Sequence, residues 1–210
     1  MKAVLVLENG IVFQGQHFGA TVDSLGEVSF NTSMSGYQEI LTDPSYCKQI
    51  VAMTYPMIGN YGINEVFDQS DHVQSAGLVV KQYVRRPSSY LSKKSLGDYL
   101  VEQGVPGIER VDTRKLVMII RDEGAMRGGI FMGVYNDEML AKVRSIPVMT
   151  GLDLTDAVTT KKAYTFGNIQ NKRYQVAVLD FGVKRAILKR LDEIGFGVHV
   201  FPAKTSIDEI

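Results

Sequence analysis

The stretch from residue 30 to residue 46 is the densest run of side chains that could do chemistry. Its sequence is FNTSMSGYQEILTDPSY, so hydroxyls, amides and turn formers stand where a strand or helix would place periodic apolar residues. Such groups can hydrogen-bond a polar ligand. Burial in a core explains little of this pattern, which therefore indicates a functional site. Taken alone, Asp43-Pro44-Ser45 within it predicts a turn, since Pro44 fixes φ and its neighbours can hydrogen-bond the backbone.

Cys47 is the only thiol of the chain and a candidate nucleophile. Lys48 follows it and would lower its pKa, which would favour the reactive thiolate. No histidine lies near it in sequence, and a free cysteine more often behaves as a small buried hydrophobe. We therefore expect Cys47 to be buried and inert.

Asp180-Phe181-Gly182 spells the metal-binding tripeptide of protein kinases. A kinase would also need a His-Arg-Asp loop and a Gly-x-Gly-x-x-Gly loop over ATP, and the chain contains neither. We expect instead that Gly182 makes a tight turn from strand to helix, with Lys184 and Arg185 on the exposed side of the first helical turn.

Composition limits the classes of function. The 210 residues carry 23 Lys plus Arg against 23 Asp plus Glu, so no basic excess points to nucleic acid or anionic lipid. No apolar run approaches the roughly 18 residues of a membrane span, and the amino terminus lacks a signal-peptide core. A single cysteine excludes an internal disulfide framework and suits a reducing compartment. We expect a cytoplasmic protein with neither nucleic acid nor membrane as a partner.

The elements that position these residues follow from periodicity. Asn9-Gly10 between two apolar runs predicts a hairpin at the start. Strands are predicted over residues 3–7, 11–13, 28–30, 50–54, 77–83 and 130–135. Helices are predicted over 95–103, 113–123 and 138–144. Asp112 should cap the start of the second helix and Gly124 should end it. Leu116, Ile119 and Ile120 would lie on one face of that helix.

The fold class predicted is α/β. Residues 1–146 read as an amino-terminal mixed β/α domain, residues 147–172 lose periodicity and read as a linker, and residues 173–210 read as the truncated start of a second domain. That start is one βαβ unit: a strand over 176–181, a helix and a strand over 197–201. Val183, Ile187, Leu191 and Ile194 are predicted to share one face of its helix. Parallel strands need cover on both faces, so we expect the native chain to continue past Ile210.

Four segments carry a resemblance to a known family: residues 30–46, then 54–62 (TYPMIGNYG), 112–116 (DTRKL) and 180–185 (DFGVKR). Together they closely resemble the small, glutamine-hydrolysing subunit of carbamoyl phosphate synthase, a class I glutamine amidotransferase, over essentially the whole chain. The resemblance implies an amidotransferase second domain and a subunit that supplies ammonia from glutamine. A large subunit would use that ammonia with ATP and hydrogencarbonate to make carbamoyl phosphate for arginine and pyrimidine synthesis.

The resemblance implies one binding residue and no catalytic residue here. The serine matching Ser45 contacts glutamine where the two domains meet, and a hydroxyl can donate to the carboxylate and accept from the ammonium of that ligand. The family's nucleophile lies in Gly-x-Cys-x-Gly and is served by His-x-Glu, and neither pattern occurs in these residues. We therefore expect the chain alone to be inactive, to hold no metal or cofactor, and to leave ATP and divalent metal to the large subunit.

Two alternatives stay open. The chain could be a non-catalytic module that docks on the large subunit, or it could belong to a homologue whose elbow lacks cysteine and that binds glutamine without hydrolysing it.

Overall fold

The computed structural model describes residues 1–210, which divide into two compact units, Met1–Leu152 and Asp153–Ile210. The division lies inside the stretch predicted as a linker. Both units combine helices with sheets, and the predicted α/β class is confirmed. No helix in the structure has the length and apolar character needed to cross a membrane.

A closed seven-stranded barrel organises the first unit, in the order β1-β2-β8-β6-β4-β3-β9. Its pairs are antiparallel except β3-β4, β4-β6 and β6-β8, which are parallel. Two further short strands, β5 and β7, pair with each other in parallel. The nine strands are β1 (Lys2–Leu7), β2 (Val12–Gly19), β3 (Ser24–Asn31), β4 (Gln49–Met53), β5 (Met57–Ile58), β6 (Gly77–Val79), β7 (Gln82–Tyr83), β8 (Pro106–Glu109) and β9 (Met126–Met132).

The predicted hairpin at Asn9-Gly10 is confirmed. β1 and β2 pair antiparallel with Leu5 opposite Phe13. Gly10 has φ 89°, and the Asn9 side chain accepts a hydrogen bond from the Ile11 N–H at 3.0 Å. These are the positive φ and the side-chain-to-backbone bond that make this dipeptide a turn former.

Four helices accompany the barrel: α1 (Tyr37–Thr42), α2 (Leu96–Glu102), α3 (Thr113–Glu123) and α4 (Asp137–Ser145). The predicted limits of α3 are confirmed. The Asp112 carboxylate accepts from the Lys115 N–H at 3.0 Å, and Gly124 ends the helix with φ 92°. Leu116 and Ile120 are buried as expected.

Alternate residues of β4 belong to two different apolar clusters. Val51 and Met53 belong to a cluster with α1 and α2, whereas Ile50 and Ala52 belong to one with β1 and α3. This is the period of two that strand geometry imposes on side chains. The buried strand therefore fixes α1 on one side of the sheet and α3 on the other.

The second unit contains the predicted βαβ arrangement. Its elements are α5 (Thr155–Val158), β10 (Tyr164–Phe166), β11 (Tyr174–Asp180), α6 (Arg185–Glu193) and β12 (Phe196–Pro202). β11 and β12 are parallel and α6 connects them. β10 adds an antiparallel strand beside β12. The sequence did not predict this strand, because three residues are too few to show a periodic pattern.

The predicted apolar face of α6 is confirmed for Val183 and Leu191 and was wrong for Ile187 and Ile194. Leu188 is its buried residue, with Val183 and Leu191 packed partly against the same cluster. Ile187 and Ile194 are half exposed. At 100° per residue a face centred on position 188 leaves these two isoleucines at its margins, so the predicted stripe was displaced by about one residue.

Candidate functional site

Residues 30–46, which the sequence analysis singled out, form the end of β3, an exposed loop over residues 32–35, helix α1 and a 3₁₀ turn at Pro44–Tyr46. Helix α1 begins after Gly36, which has φ 85° and no side chain to cap the helix. The phenol oxygen of Tyr61 replaces the cap and accepts from the N–H groups of Gly36 (2.7 Å) and Tyr37 (3.1 Å). A residue distant in sequence therefore fixes the start of α1.

Two stacked tyrosines hold the start of α1 against the loop that follows β5. The rings of Tyr37 and Tyr61 lie 4.2 Å apart between centroids, and the Tyr37 hydroxyl donates to the Gly62 carbonyl at 2.7 Å. Burial raises the pKa of both phenols, which therefore stay neutral hydrogen-bonding groups.

Gln38 is fully buried although it is polar. Its amide donates to the Asn64 carbonyl (2.6 Å) and to the Asp68 carboxylate (2.7 Å), and its carbonyl accepts from the Asn64 N–H (2.9 Å). Buried Thr42 acts similarly, accepting from the Gln69 N–H at 2.9 Å. These bonds fasten α1 to the loop that follows β5.

The expectation that burial in a core explains little of this segment was therefore wrong. Tyr37, Gln38 and Thr42 are buried, and their polar atoms are satisfied within the chain. Sequence periodicity could not reveal this, because their partners lie about 25 residues further along the chain. Thr32, Ser33, Met34, Ser35 and Ser45 are the members that remain exposed.

The predicted turn at Asp43-Pro44-Ser45 is confirmed. The buried Asp43 carboxylate accepts from the Ser45 N–H at 2.9 Å, and the Cys47 N–H donates to the Pro44 carbonyl at 3.1 Å. The backbone of Ser45 is thus held while its side chain is exposed to solvent. A hydroxyl presented in this way can hydrogen-bond a polar ligand with little loss of conformational entropy.

Asn31 connects this turn to the exposed loop, a role that the sequence did not reveal. Its amide donates to the Tyr46 hydroxyl at 2.8 Å, and its carbonyl accepts from the Ser33 N–H at 2.8 Å. One side chain therefore holds both exposed stretches at the end of β3. An Asn two residues before a Ser at a strand end was the available signal.

Glu39 is a second residue that sequence reasoning missed. One of its carboxylate oxygens is buried beside Gly36 and has no hydrogen-bond partner within the chain. Its negative charge also contributes to the raised pKa of Tyr61, after burial. A buried oxygen without a partner is uncommon in folded proteins and marks this end of α1 as a place to examine by mutation.

Cys47 is buried, as expected. Burial raises the pKa of its thiol, and the charge of neighbouring Lys48 opposes that rise. The group is therefore protonated at neutral pH and unsuited to attack a carbonyl. Two histidine rings are also engaged within the chain. His17 forms a hydrogen bond with the Ala20 carbonyl (2.8 Å), and His199 forms one with the Gln175 side chain (2.9 Å).

The carboxylate of Asp180 caps a turn. One oxygen accepts from the N–H groups of Gly182 (2.9 Å) and Val183 (2.8 Å), and the other accepts from that of Thr160 (2.6 Å). Gly182 has φ 93°, as expected for the tight turn into α6. Asp180 is buried and both of its oxygens accept from backbone N–H groups, so its role as a cap explains its position in the sequence. The structure contains no cluster of three or more His, Cys, Asp or Glu side chains suited to a metal ion.

Comparison with known proteins places these features in a family. The family model described as carbamoyl-phosphate synthase small chain, CPSase domain, matches residues 5–130. Proteins named carbamoyl phosphate synthase small chain are similar across nearly all of the sequence. The one from Polynucleobacter asymbioticus is 45% identical over 233 aligned residues, covering 99% of this chain and 59% of the relative. Those from Streptomyces coelicolor and Chlorobaculum tepidum are each 46% identical, covering 99% and 100% of this chain and 56% and 57% of the relatives.

This chain spans less than three fifths of the length of these curated relatives. The residues matched by the family model and those aligned with the relatives both include the segment that forms α1 and the Ser45 turn. The chain belongs to the carbamoyl-phosphate synthase small chain family.

Proposed function

We propose that this chain functions within the small subunit of a glutamine-dependent carbamoyl phosphate synthase. The small subunit hydrolyses glutamine, and the ammonia passes to a large subunit that uses ATP and hydrogencarbonate. The observation that carries the proposal is the 45% identity to a carbamoyl phosphate synthase small chain across 99% of these residues. Ser45 and the glutamine it would bind belong to the same proposal.

The structure supports a binding role for Ser45 through its setting. Asp43 fixes the backbone of the turn, and Asn31 ties the turn to the strand behind it through Tyr46. The hydroxyl can donate to the α-carboxylate of glutamine or accept from its ammonium group. Hydrogen bonds to charged groups contribute about 1.5–3 kcal/mol, which corresponds to roughly tenfold or more in affinity.

The hydrolytic step requires groups beyond these residues. A thiolate must attack the amide carbon of glutamine to form a thioester, and an oxyanion must be stabilised on the way. The only thiol here is buried, with a raised pKa. We infer that the 210 residues alone have no glutaminase activity and that this part of the subunit docks the large subunit and completes the glutamine site.

The test is kinetic and uses the small subunit that carries this sequence, purified with its large subunit. Ser45→Ala should raise the glutamine KM about tenfold and leave the ammonia-dependent rate unchanged. Ser45→Thr retains the hydroxyl and should recover most of the affinity. Ser145→Ala, which changes an exposed serine at the end of α4, is the matched control.

Three outcomes would distinguish the proposed role of Ser45, a docking module and a failure of the proposed function. An unchanged glutamine KM in Ser45→Ala would refute the assignment of that residue. Ammonia-dependent synthesis without any glutamine-dependent synthesis in the wild type would favour a docking module. Absence of both activities would refute the proposed function as a whole.

A further inference from the structure

Helix α3 has a second face that the barrel does not use. Its inner face buries Leu116. Its outer face carries Arg114, Val117, Met118 and Arg121, at the i, i+3, i+4, i+7 spacing of one helical stripe. Met118 is 48% exposed. The stripe is thus a pair of apolar side chains with an arginine at each end.

This stripe forms one wall of an open groove of about 590 Å³. The opposite wall comes from the segment after β4 and from Lys81, in the short link between β6 and β7. The residues lining the groove that matter here are Thr54, Pro56, Lys81, Arg114, Met118 and Arg121. A second depression of about 310 Å³ shares Lys81 and includes Arg110. The two depressions therefore adjoin at Lys81.

The groove carries positive charge that the chain does not neutralise. Lys81, Arg110 and Arg114 are exposed and have no carboxylate within salt-bridge distance, whereas Arg121 pairs with Asp122 at 2.8 Å. Five cationic residues line the two depressions, and they outnumber the two carboxylates of that lining, Glu109 and Asp112. Glu109 is buried and binds the Arg85 guanidinium, and Asp112 caps α3.

The backbone of Arg110 is held in an uncommon conformation. Its φ is 66°, in the left-handed region that residues other than glycine rarely adopt. The Arg110 N–H donates to the Lys81 carbonyl at 2.9 Å, which ties the two cationic residues together at the junction of the depressions. The backbone positions of Lys81 and Arg110 are therefore fixed relative to each other.

We propose that this groove binds an acidic segment of the large subunit that carries an apolar side chain at its centre. This inference rests on the proposed function and names the surface through which it would act. Arg114 and Arg121 are separated by about 10 Å along the helix axis, further than one phosphate group reaches. An apolar centre of Met118 and Val117 with a rim of arginines has the composition of a protein–protein interface, in which Met and Arg are enriched.

The charge pattern also indicates how the partner is recognised. Exposed cations on a rim accelerate encounter with an acidic surface and make it sensitive to salt. The central apolar pair would contribute contact area that salt does not screen. Charge and apolar contact should therefore be separable by mutation.

The experiment measures binding of purified large subunit to the small subunit that carries this sequence, by biolayer interferometry at about 50 and about 300 mM NaCl. The double variant Lys81→Glu/Arg114→Glu should weaken binding about 30-fold at low salt and flatten the salt dependence. Lys2→Glu/Lys142→Glu makes the same change in net charge on exposed residues of the same unit and should stay within about threefold. Met118→Ala should weaken binding severalfold at both salt concentrations, because it removes apolar contact and leaves the charges in place. Equal melting temperatures would show that the variants are folded.

Retention of wild-type affinity by Lys81→Glu/Arg114→Glu would overturn the proposal while leaving the proposed function intact. Failure of the wild-type small subunit to bind the large subunit would overturn both. If inorganic phosphate raised the melting temperature of the wild type alone and the double variant still bound the large subunit normally, the groove would be a small-anion site and the proposal would fall.

Discussion

Gln38 offers the sharpest test of how the candidate site is held. Its side chain is fully buried and makes three hydrogen bonds, of 2.6, 2.7 and 2.9 Å, to Asn64 and Asp68. Gln38→Met replaces the amide by an apolar group of similar length and flexibility, so the hydrogen bonds are lost with little change in volume. The variant therefore isolates the polar contribution.

The expected destabilisation follows from those bonds. Each contributes about 0.5–1.5 kcal/mol net, so three contribute about 1.5–4.5 kcal/mol. The backbone N–H and carbonyl of Asn64 also lose their partner, which places the expected loss at about 3 kcal/mol or above. A domain is stable by about 5–15 kcal/mol, so the variant should fold but with a much smaller margin.

The assay combines urea unfolding, followed by far-ultraviolet circular dichroism, with hydrogen exchange over residues 37–46. The chain contains no tryptophan, so fluorescence would report less directly. Exchange should accelerate in α1 and in the Ser45 turn, because their anchor to the following loop is gone. Gln14→Met on the exposed face of β2 is the matched control and should change stability by less than about 0.5 kcal/mol. A loss below about 1 kcal/mol in Gln38→Met, with unchanged exchange in α1, would refute the reasoning.

Three further predictions concern single groups. Tyr61→Phe removes the phenol oxygen that accepts two backbone N–H groups at the start of α1, and it should lower the free energy of unfolding by about 1–3 kcal/mol in the same urea assay; a neutral effect would show that water replaces the phenol. Burial alone would raise the pKa of Glu8, but hydrogen bonds and charge from Arg127 outweigh it and lower that pKa below its ordinary 4.5. The stabilisation from this pair is then present above about pH 4.5 and is lost as pH falls through the lowered pKa. Glu8→Gln should therefore lower the free energy of unfolding at neutral pH, and the difference from the wild type should disappear in acid. A difference that does not change with pH would contradict this. Cys47 is buried with a raised thiol pKa, so the folded chain should react with a maleimide far more slowly than the urea-unfolded chain; equal rates would show that the thiol is accessible.

Local features were the part of the fold that the sequence could predict. The hairpin at Asn9-Gly10 and the ends of α3 depend on residues within a few positions of one another, so their signals lie in short windows. The barrel depends on pairs that are distant in sequence, such as β3 with β9 and β6 with β8. Nothing in a local pattern specifies which strands close a sheet.

The same distinction applies to the candidate site. The turn before Ser45 was predictable because Asp43 and Pro44 are adjacent to it. The role of Gln38 was not, because it depends on Asn64, a residue 26 positions away. A buried polar residue that serves a distant loop looks in sequence like a residue that serves a ligand. The contribution of Ser45 to glutamine binding stays a prediction.

The pairing of β1 with β9 also sets a time order on the biogenesis of the protein. Ala3 lies opposite Met132, so during synthesis the first strand of this unit must wait for its last strand before the barrel can close. At about 5–20 residues per second, synthesis of that length takes roughly 7–26 seconds. During this interval the apolar residues of β1 lack their final neighbours, which makes the nascent chain a natural client of chaperones that shield hydrophobic strands.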